Sequence, residues 1–421
     1  MNVALLGFGT VGQSVARLLL GTSAPPLRLT HIFNRNVDRK RVDWVPASVR
    51  WTERFEDLLG PDVHLVIEVV GGLDPAGRWH RDAIAAGKSV VTANKQLMAH
   101  EGGELLRLAA QRGVHFGFEA AVAGGIPVIR AIREGLAGDQ LLRITGILNG
   151  TCNYMLTRME AERISFDDVL REAQAKGFAE ADPTDDVDGY DARAKLCILA
   201  RIGLHVALRP CDVPCRSIRP LKDVDFIYAR RLGYTIRQVS HVERHAGSGD
   251  GSDSVDAAVE PALVPAGSML SRVRGSENLV LTLGERGGET GFFGRGAGGD
   301  PTAVAVLSDV LAIARHSSPP GWFREVADDR PASVSSTRDY PHYLRFVVRD
   351  KPGIIAALAQ VLSRHHLNID AVLQESGWPK DALPFVVTLE PARREVVDRA
   401  IEEIAPLDFH VERPVVLPIV D

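Results

Sequence analysis

Three glycines near the start of the chain constrain its fold more than any other feature of the sequence. Gly7, Gly9 and Gly12 follow a short apolar run and open a helical pattern with apolar residues at Val15 and Leu18. In such a strand–turn–helix unit, the first glycine permits a tight turn, the second lets the backbone approach a pyrophosphate, and the third lets the helix pack closely on the strand. Free N–H groups at the helix N-terminus also favour phosphates. The motif predicts a dinucleotide site formed by Gly7, Phe8, Gly9, Thr10, Val11 and Gly12.

The pattern of the first 130 residues extends this prediction to a whole domain. Short β-rich runs alternate with longer helical patterns over residues 1–130, which is typical of an α/β fold with a Rossmann-type, doubly wound parallel sheet. Residues 131–295 mix strands and helices, so we expect a second, α+β domain for catalysis and dimerisation. Residues 296–316 are expected to return to the dinucleotide-binding domain.

A third, smaller domain is predicted at the C-terminus. Residues 317–341 mix Ser, Pro and charged residues without periodicity, which suits a linker. From residue 342 to residue 421 the patterns follow the order β-α-β-β-α-β, with a closing strand near Val411. This order predicts a ferredoxin-like module of about 80 residues.

Composition argues against several classes of protein. A chain of 421 residues needs more than one core, and 24% charged residues with a net charge of -5 are ordinary for a globular protein. No apolar run approaches the ~20 residues of a membrane span, and no secretory leader pattern precedes the first strand, so we expect a cytoplasmic protein. The charge does not favour nucleic acid as a partner. We expect buried or neutral thiols rather than a metal site at Cys211 and Cys215.

The residues after the second predicted strand bear on the choice of dinucleotide. An NAD-specific fold usually places Asp or Glu there to bind the ribose hydroxyls, whereas this chain has Asn34 and Arg35. A guanidinium suits a 2′-phosphate, so Arg35 favours NADP, with Lys40 and Arg41 as further candidates. The alternative is a solvated basic loop, which leaves NAD open as the cofactor.

A lysine follows the strand predicted at residues 89–92. The run Thr92-Ala93-Asn94-Lys95 places an amine at the carboxyl edge of the parallel sheet, where ligands of such folds bind. An isolated lysine of this kind is more often a surface side chain whose stem lies along apolar residues. The expected cofactor nearby favours a functional role for Lys95.

An acidic stretch, residues 177–191, leads into an apolar helix that holds a lysine. Read as a calcium loop beginning at Thr184, the stretch puts Lys195 where a bidentate Glu is needed, so that interpretation fails. Asp191 and Lys195 are four residues apart, hence on one helical face. Such a pair is usually a surface ion pair. On an apolar helix, however, the lysine can donate a proton to a carbonyl while carboxylates hold a substrate ammonium.

Several segments, in this order along the chain, resemble the signatures of the homoserine dehydrogenase family. The family interconverts L-homoserine and L-aspartate 4-semialdehyde with NAD(P) in threonine, methionine and isoleucine biosynthesis, and the resemblance implies that reaction here. Arg295 departs from the family, in which proline is common at this position, and the polar loop at 247–256 is longer than expected. The matching segments are the glycine turn, VTANK at 91–95, EAAVAGGIP at 119–127, GILNGTCNY at 146–154, residues 177–195 and GRGAG at 294–298.

The resemblance implies roles for particular residues. Lys195 would be the general acid/base, assisted by Asp191, and Lys95 would lie beside cofactor and substrate. Glu180 and Asp191 would bind the substrate, supported by Asp186. The residues on the cofactor side would include Thr92, Lys95, Gly177, Glu180 and Gly298.

The resemblance also implies a bound monovalent cation, of the sodium type. Its ligands, mostly backbone carbonyl oxygens, would come from Glu119, Val122, Gly124 and Ile126. Such ligands leave no side-chain signature, and without the resemblance Gly124 and Gly125 indicate only a turn.

The C-terminal module resembles an ACT domain at residues 349–354, where a strand turns sharply into a helix. The N–H groups exposed at that turn suit an amino-acid carboxylate. In this family an ACT domain implies feedback inhibition by threonine at paired ACT interfaces, here near Asp350, Gly353, Ile354 and Asn368. Some ACT domains only assemble subunits. The family expectation is a homodimer, which ACT pairing would extend to a tetramer.

Two other functions are compatible with part of the sequence. Another dehydrogenase of amino acids or their semialdehydes would share the glycine turn and the carboxylates, but not the order of the downstream segments. A sensor protein without activity would share the ACT-like module, but it would not need Lys95, Glu180, Asp191 and Lys195 together.

Overall fold

The computed structural model describes residues 1–22, 26–245, 253–316, 330–335 and 338–420. Three main β-sheets organise these residues: a parallel sheet of six strands, a mixed sheet of seven and an antiparallel sheet of four. The predicted fold class is confirmed. Residues 247–252 of the predicted polar loop and 317–329 of the predicted linker lie outside the described residues.

The first sheet has a doubly wound topology. Its strands are β1 (Asn2–Leu6), β2 (Arg28–Phe33), β3 (Arg50–Thr52), β4 (Leu65–Glu68), β5 (Ser89–Thr92) and β6 (Phe116–Gly117). The connecting helices are α1 (Thr10–Gly21), α2 (Val37–Lys40), α3 (Ala76–Ala85) and α4 (Lys95–Arg112), with a 3-10 turn at Phe55–Leu59. The spatial order is β3-β2-β1-β4-β5-β6, so the chain winds toward one edge of the sheet from β1 to β3 and toward the other edge from β4 to β6. Sheets of this kind bind ligands in the crevice at that reversal, beyond the carboxyl ends of the strands.

The central strand β1 is apolar from Val3 to Leu6 because helices cover both faces of the sheet. Successive side chains of a strand point to opposite faces. Leu5 accordingly lies in an apolar cluster with Val15 of α1, whereas Leu6 lies in a second cluster with Trp79 of α3. Burial on both sides explains why this strand lacks the polar alternation of a half-exposed sheet.

The second sheet forms the middle of the molecule. Its strands are β7 (Leu141–Ile147), β8 (Val206–Ala207), β9 (Tyr234–Arg244), β10 (Asp253–Pro265), β11 (Glu277–Gly284), β12 (Gly288–Arg295) and β13 (Arg330–Val334). Their order is β12-β11-β7-β9-β10-β13-β8, with β13 parallel to both of its neighbours and the other pairs antiparallel.

Among the described residues, seven helices accompany this sheet. They are α5 (Val128–Arg130), α6 (Gly150–Glu162), α7 (Phe166–Ala175), α8 (Thr184–Val187), α9 (Tyr190–Leu199), α10 (Asp223–Arg231) and α11 (Met269–Arg272). Wider π-helical turns continue α5 at Ala131–Gly135 and α9 at Ala200–Leu204. Short 3-10 turns lie at Glu119–Ala121 and Pro210–Asp212.

Helix α12 (Gly299–Arg315) packs against α1 of the first sheet. Its Val306 shares an apolar cluster with Val15, and Ser14 donates a hydrogen bond of 2.7 Å to Asp300. Part of the segment expected to be a linker has a different structure, because β13 pairs with β10 in the second sheet. Sheet pairing gives regular structure to residues whose own sequence shows no periodicity.

The C-terminal module has the predicted ferredoxin-like order. It comprises β14 (Asp339–Val348), α13 (Ile354–Arg364), β15 (Ile369–Leu373), β16 (Leu383–Arg393), α14 (Arg394–Ile404) and β17 (Val415–Pro418), with spatial order β15-β16-β14-β17. The prediction of a closing strand near Val411 is wrong, since the strand begins at Val415. An isolated bridge between Val348 and His410 holds the chain in this region instead.

The module is docked on the middle of the molecule through a shared core. Tyr343 and Leu417 lie in one apolar cluster with Met155 of α6. A buried ion pair joins Arg345 to Asp225 of α10 at 3.0 Å. Among the described residues, no helix combines the length and the apolar character that crossing a membrane requires.

Candidate active site

The glycine turn has the geometry that its sequence predicts. Gly7 has a φ of 109°, and a side chain at Gly12 would come within 2.3 Å of the Gly7 carbonyl oxygen. A side chain at Gly9 would instead meet no atom within 4 Å. The fold itself therefore requires glycine at positions 7 and 12, whereas the open space at Gly9 is where a pyrophosphate can approach the N-terminus of α1.

The other predicted cofactor residues differ in how they face the crevice. Phe8 is fully buried and packs against Trp44 and Trp51, so only its backbone is available to a ligand. Thr92 is also fully buried, and its hydroxyl donates to Glu68 at 2.7 Å. Arg35 is exposed just beyond β2, whose last carbonyl oxygen accepts a hydrogen bond from the N–H of Gly7.

Lys95 is the first residue of α4. The side chain of Asn94 caps this helix by accepting from the N–H of Leu97, and its amide donates to the Gly72 carbonyl oxygen at 2.7 Å. These bonds join the start of α4 to the loop that follows β4. The Lys95 side chain is 41% exposed and forms an ion pair of 2.7 Å with Asp191 on α9. It therefore reaches from the parallel sheet to the second domain.

Asp191 and Lys195 lie one turn apart on the buried helix α9. The Lys195 Nζ donates to Asp191 Oδ2 at 2.7 Å and to the Leu148 carbonyl oxygen at 2.8 Å. Lys95 binds the other carboxylate oxygen, Oδ1. One buried carboxylate thus holds two amines from different helices. A buried charge is stable when it is paired and hydrogen bonded in this way.

The electrostatics of the pair follow from this contact. Burial favours the neutral form of Asp191, but the charges of Lys195 and Lys95 outweigh it and hold the pKa of the carboxyl well below its usual range. The charge of Asp191 in turn raises the pKa of Lys95, against the effect of burial. Asp191 is therefore ionised throughout the neutral pH range.

One cleft joins the glycine turn to the two lysines. It lies between the carboxyl ends of β4 and β5 and the loop that precedes α12, where Gly298 has a φ of 121° that favours glycine. The two lysines are charged groups in a lining that is otherwise mostly apolar, which is typical of a small-molecule site. Residues lining it include Val11, Val70, Gly71, Lys95, Ala121, Gly124, Lys195, Ala297 and Gly298.

The acidic stretch lies partly beside Asp191 and partly at the exposed surface. Asp186 lies in α8 and accepts a hydrogen bond of 2.6 Å from Asn149, and burial raises its pKa. Glu180 is exposed, as is Gly177, which has a φ of 73° beyond the end of α7. Thr151 binds the carbonyl oxygen of residue 178 at 2.9 Å. The structure thus brings Asp186 to Asp191 but leaves Glu180 at the surface.

Three polar residues near the site were missed by the sequence interpretation. Asn149 donates to both Asp186 and Asp191, and Asn278 donates to the same Leu148 carbonyl oxygen that accepts from Lys195. Glu68 accepts from the N–H groups of the loop after β4. Asn149 lies inside the family-like segment at 146–154. Only the fold, however, shows that its amide reaches two carboxylates 37 and 42 residues away.

The predicted cation loop is a tight turn beside the cleft. The Glu119 carboxylate is buried and accepts from the N–H groups of Ile129 and Arg130, and burial raises its pKa to about 7. A side chain at Gly124 would come within 2.7 Å of the Gly296 carbonyl oxygen. In the part of the chain that the structure describes, no three His, Cys, Asp or Glu side chains are placed to hold a metal ion. Any cation here would depend on backbone oxygens, as the resemblance implies.

The predicted effector residues separate into two places. Asp350, Gly353 and Ile354 line one cleft at the start of α13. Asn368 lies beyond the other end of that helix and donates to Glu390 at 3.1 Å. Within one chain, therefore, Asn368 does not join the other three.

Comparison with known proteins decides the family. The family model described as "Homoserine dehydrogenase" matches residues 127–311, that described as "Homoserine dehydrogenase, NAD binding domain" matches residues 7–119, and that described as "ACT domain" matches residues 342–409. The chain belongs to the homoserine dehydrogenase family. As a homoserine dehydrogenase it is an NAD(P)-dependent oxidoreductase that acts on homoserine.

Several relatives resemble this homoserine dehydrogenase over nearly its full length. Homoserine dehydrogenase of Bacillus subtilis is 37% identical over 92% of this chain and 90% of its own, and that of Synechocystis is 36% identical over 99% of each. The crystal structure of a homoserine dehydrogenase from Thiobacillus denitrificans has a TM-score of 0.89 and 33% identity, and covers 100% of this chain and 98% of its own. A hyperthermophilic archaeal homoserine dehydrogenase, solved in complex with NADPH, has a TM-score of 0.63 and 26% identity over 75% of this chain and 97% of its own.

Proposed function

We propose that the enzyme interconverts L-homoserine and L-aspartate 4-semialdehyde, with Lys195 as general acid/base. The observation that carries the proposal is the pair of amines, Lys95 and Lys195, held on the two oxygens of buried Asp191 at the edge of the cleft. The glycine turn contributes Val11 to the same cleft. An amine that transfers a proton is thereby held next to the place expected for the nicotinamide.

The proton-transfer step depends on how Lys195 is held. An ammonium group has three N–H bonds, and two of them point to Asp191 and to the Leu148 carbonyl oxygen. The third is available to the substrate oxygen. In aldehyde reduction this third N–H donates its proton to the carbonyl oxygen that becomes the hydroxyl, and in homoserine oxidation the neutral amine, with its lone pair in that position, takes the hydroxyl proton. The nicotinamide, when bound, accepts or supplies the hydride.

The carboxylates around this amine suit an amino-acid substrate. Asp191 provides buried negative charge and Asp186 half-buried negative charge, and the exposed Glu180 would supply a further carboxylate for the substrate ammonium. Lys95, which is partly exposed, lies where it contacts both substrate and cofactor. The arrangement favours a small zwitterion over a neutral alcohol, because opposite charges are available at adjacent positions.

The preferred cofactor is NADP. Arg35 is exposed beyond the end of β2, and the hydrogen bond from Gly7 to the last residue of that strand places it next to the glycine turn. A guanidinium in this position pairs with a 2′-phosphate.

A monovalent cation of the sodium type is proposed at the turn that follows Glu119. Ala123 and Gly124 have φ values of 54° and 46°, and this turn closely approaches the backbone of Gly296. Carbonyl oxygens of Glu119, Val122, Gly124 and Ile126 would hold the cation, since neutral backbone oxygens suit such ions. The cation would fix the turn that forms one wall of the cleft.

Regulation is proposed through the C-terminal ACT domain. Threonine would bind at the cleft of Asp350, Gly353 and Ile354, with Asn368 contributed across an interface between paired ACT domains. The enzyme would be a cytoplasmic homodimer, extended to a tetramer by ACT pairing, that serves threonine, methionine and isoleucine biosynthesis.

An absorbance assay of the purified full chain tests the reaction. Homoserine should support reduction of NADP at 340 nm in the presence of sodium, and threonine should lower the rate. Analogues of homoserine that lack the amino group should be oxidised with a much lower kcat/KM. No reduction with homoserine and either dinucleotide would overturn the proposal.

A further inference from the structure

Asn149 bridges two carboxylates of the active site, the buried Asp191 and the half-buried Asp186. It is the residue immediately before α6, and only 4% of its surface is exposed. Its Nδ2 donates one hydrogen bond of 2.6 Å to Asp186 Oδ1 and another of 2.9 Å to Asp191 Oδ2. Each hydrogen of the amide is therefore directed at a different negative charge.

The orientation of this amide follows from its surroundings. The Asn149 Oδ1 accepts the N–H of Cys152 at 2.8 Å and so caps the N-terminus of α6. Rotating the amide by half a turn would place its oxygen against two carboxylates and its NH2 against a backbone donor. Asn149 thus satisfies the helix with one end and the carboxylates with the other.

The charged groups that face this pair come from or directly follow three helices, α4, α8 and α9. Lys95 on α4 and Lys195 on α9 act on both carboxylates, Asp185 lies beside Asp186 on α8, and Asp188 follows α8. From α6, the thiol of Cys152 also faces them, and burial raises its pKa.

The two carboxylates do not share the cations equally. Asp191 binds both amines directly, whereas Asp186 is near them without a direct ion pair in the described residues. Burial raises the pKa of Asp186, the hydrogen bond from Asn149 lowers it, and the charge of Asp191 raises it again. Asn149 is therefore the direct neutral donor that opposes this rise in the pKa of Asp186.

We propose that Asn149 is a positioning residue of the reaction, which holds the carboxylates of Asp186 and Asp191 together and keeps Asp191 aligned on Lys195. The proposal rests on the proposed role of Lys195 as acid/base. It assigns to Asn149 a function that a helix cap alone would not have: setting the pH at which the carboxylate pair is competent to hold the substrate ammonium and the catalytic amine.

Substitution by serine separates the two roles. Asn149→Ser retains a good N-cap for α6 but removes the amide donor, so the fold should persist while Asp186 loses its hydrogen bond. Losing a donor to an ionised group raises the pKa of that carboxyl, so the acid limb of kcat/KM for homoserine should move to higher pH by about one unit. Asn149→Asp also keeps the cap but adds a third negative charge, and it should move the limb further. In both variants kcat should fall about tenfold or more at neutral pH, since a hydrogen bond to a charged group is of that size.

A helix-cap control makes the test specific. Ser165 caps α7 by accepting from the N–H of Asp168, and it has no contact with the carboxylate pair. Ser165→Ala should lower the thermal midpoint and leave the acid limb unchanged. Thermal unfolding should show that Asn149→Ser stays folded with a midpoint only a few degrees lower, because the lost hydrogen bond to an ionised carboxylate costs about 1.4 kcal/mol at neutral pH.

The outcomes distinguish this proposal from the proposed function. If Asn149→Ser and Asn149→Asp both keep the original acid limb and turnover, Asn149 is only a helix cap and the proposal is overturned, while homoserine oxidation stands. If the unsubstituted enzyme does not oxidise homoserine, the proposed function itself fails. In that case, carboxyl chemical shifts of Asp186 from NMR titration still decide whether Asn149 lowers its pKa.

Discussion

Asp191 and Lys195 form an ion pair of 2.7 Å on a helix face that is almost wholly buried, with 6% and 10% of their side chains exposed. The enzyme contains a second pair with the same spacing, Glu172 and Lys176, whose side chains are 25% and 52% exposed. Sequence spacing is identical in the two pairs. The two pairs differ in burial. A buried ion pair needs further hydrogen-bond partners from the protein, whereas a solvated pair can use water.

Replacing Lys195 by alanine should abolish most turnover without a matching loss of substrate binding. Acid/base residues contribute about 10² to 10⁴-fold to rate, so kcat should fall by that factor while KM for homoserine changes far less. Steady-state kinetics of both directions would measure it. Lys88 is the matched control, since it is a buried lysine at the opposite end of β5 that donates to two backbone carbonyls. Lys88→Ala should lower stability and leave kcat intact; near-normal turnover of Lys195→Ala would rule out the acid/base assignment.

Replacing Arg35 by aspartate should shift the preference from NADP toward NAD. The substitution removes a partner of the 2′-phosphate and adds a carboxylate that accepts from ribose hydroxyls. The ratio of kcat/KM values for the two dinucleotides measures the change. Arg28 is the first residue of β2, at the end of the strand opposite to Arg35, and is also exposed, so Arg28→Asp makes the same charge change away from the crevice. Equal ratios in both variants would move the phosphate contact elsewhere.

Alanine substitution should affect Gly12 and Gly9 of the glycine turn in different ways. Gly9→Ala adds a methyl group to open space, so thermal stability should hold while dinucleotide affinity falls. Gly12→Ala places a carbon within 2.3 Å of the Gly7 carbonyl oxygen, so the fold should lose stability even without cofactor. Thermal unfolding with and without NADPH separates the two effects. A Gly9→Ala enzyme that binds NADPH normally would argue against close backbone approach there.

His342 should make the enzyme less stable as the pH falls. Burial lowers the pKa of this fully buried histidine from 6.5 to about 4, and neither ring nitrogen makes a well-formed hydrogen bond with a described residue. Because the folded pKa lies below the unfolded one, only the unfolded state gains a proton as the pH drops through 6.5. The free energy of unfolding should therefore fall by about 2 kcal/mol between about pH 7.5 and pH 5 from this group alone.

A non-titrating residue tests this pH dependence. His342→Gln should flatten the slope of stability against pH over that interval, measured by denaturant unfolding at a series of pH values. His100 is exposed on α4, and His100→Gln should leave the slope unchanged. An unaltered slope in His342→Gln would show that other groups account for acid sensitivity.

Docking of the ACT domain should depend on the buried ion pair of Arg345 and Asp225. Their side chains are 2% and 0% exposed, and Asp225 also accepts from the Tyr343 hydroxyl at 3.0 Å. Removing one partner leaves an uncompensated buried charge, which costs about 3–5 kcal/mol. Arg345→Met should therefore make residues near the domain boundary sensitive to proteolysis.

The double replacement provides the control for this pair. Arg345→Met combined with Asp225→Leu removes both charges and should restore part of the stability that Arg345→Met loses, as a double-mutant cycle would show. If the double variant loses more stability than the two single variants lose in sum, the packing of these side chains matters more than their charges.

Local patterns in the sequence were sufficient for the fold class and for many of its elements, but not for β13 or for the position of β17. The glycine spacing after an apolar strand determined the turn at Gly7 and the start of α1, because backbone conformation there has few alternatives. The four-residue spacing of Asp191 and Lys195 placed both on one face of α9, since helical geometry relates neighbours in the chain. The closing strand of the ACT domain was misplaced because a short edge strand depends on its partner β14 more than on its own residues.

Only the tertiary structure decided how those pieces meet. Lys95 and Asp191 are 96 residues apart along the chain, and packing of α4 on α9 brings their charged atoms to 2.7 Å. Asn149 likewise reaches Asp186 and Asp191 only because α6 begins beside α8 and α9. The same packing leaves the Glu180 side chain exposed to solvent. Periodicity relates residues within one element, whereas contacts between elements depend on how the apolar faces of the whole chain are buried together, and no short segment contains that information.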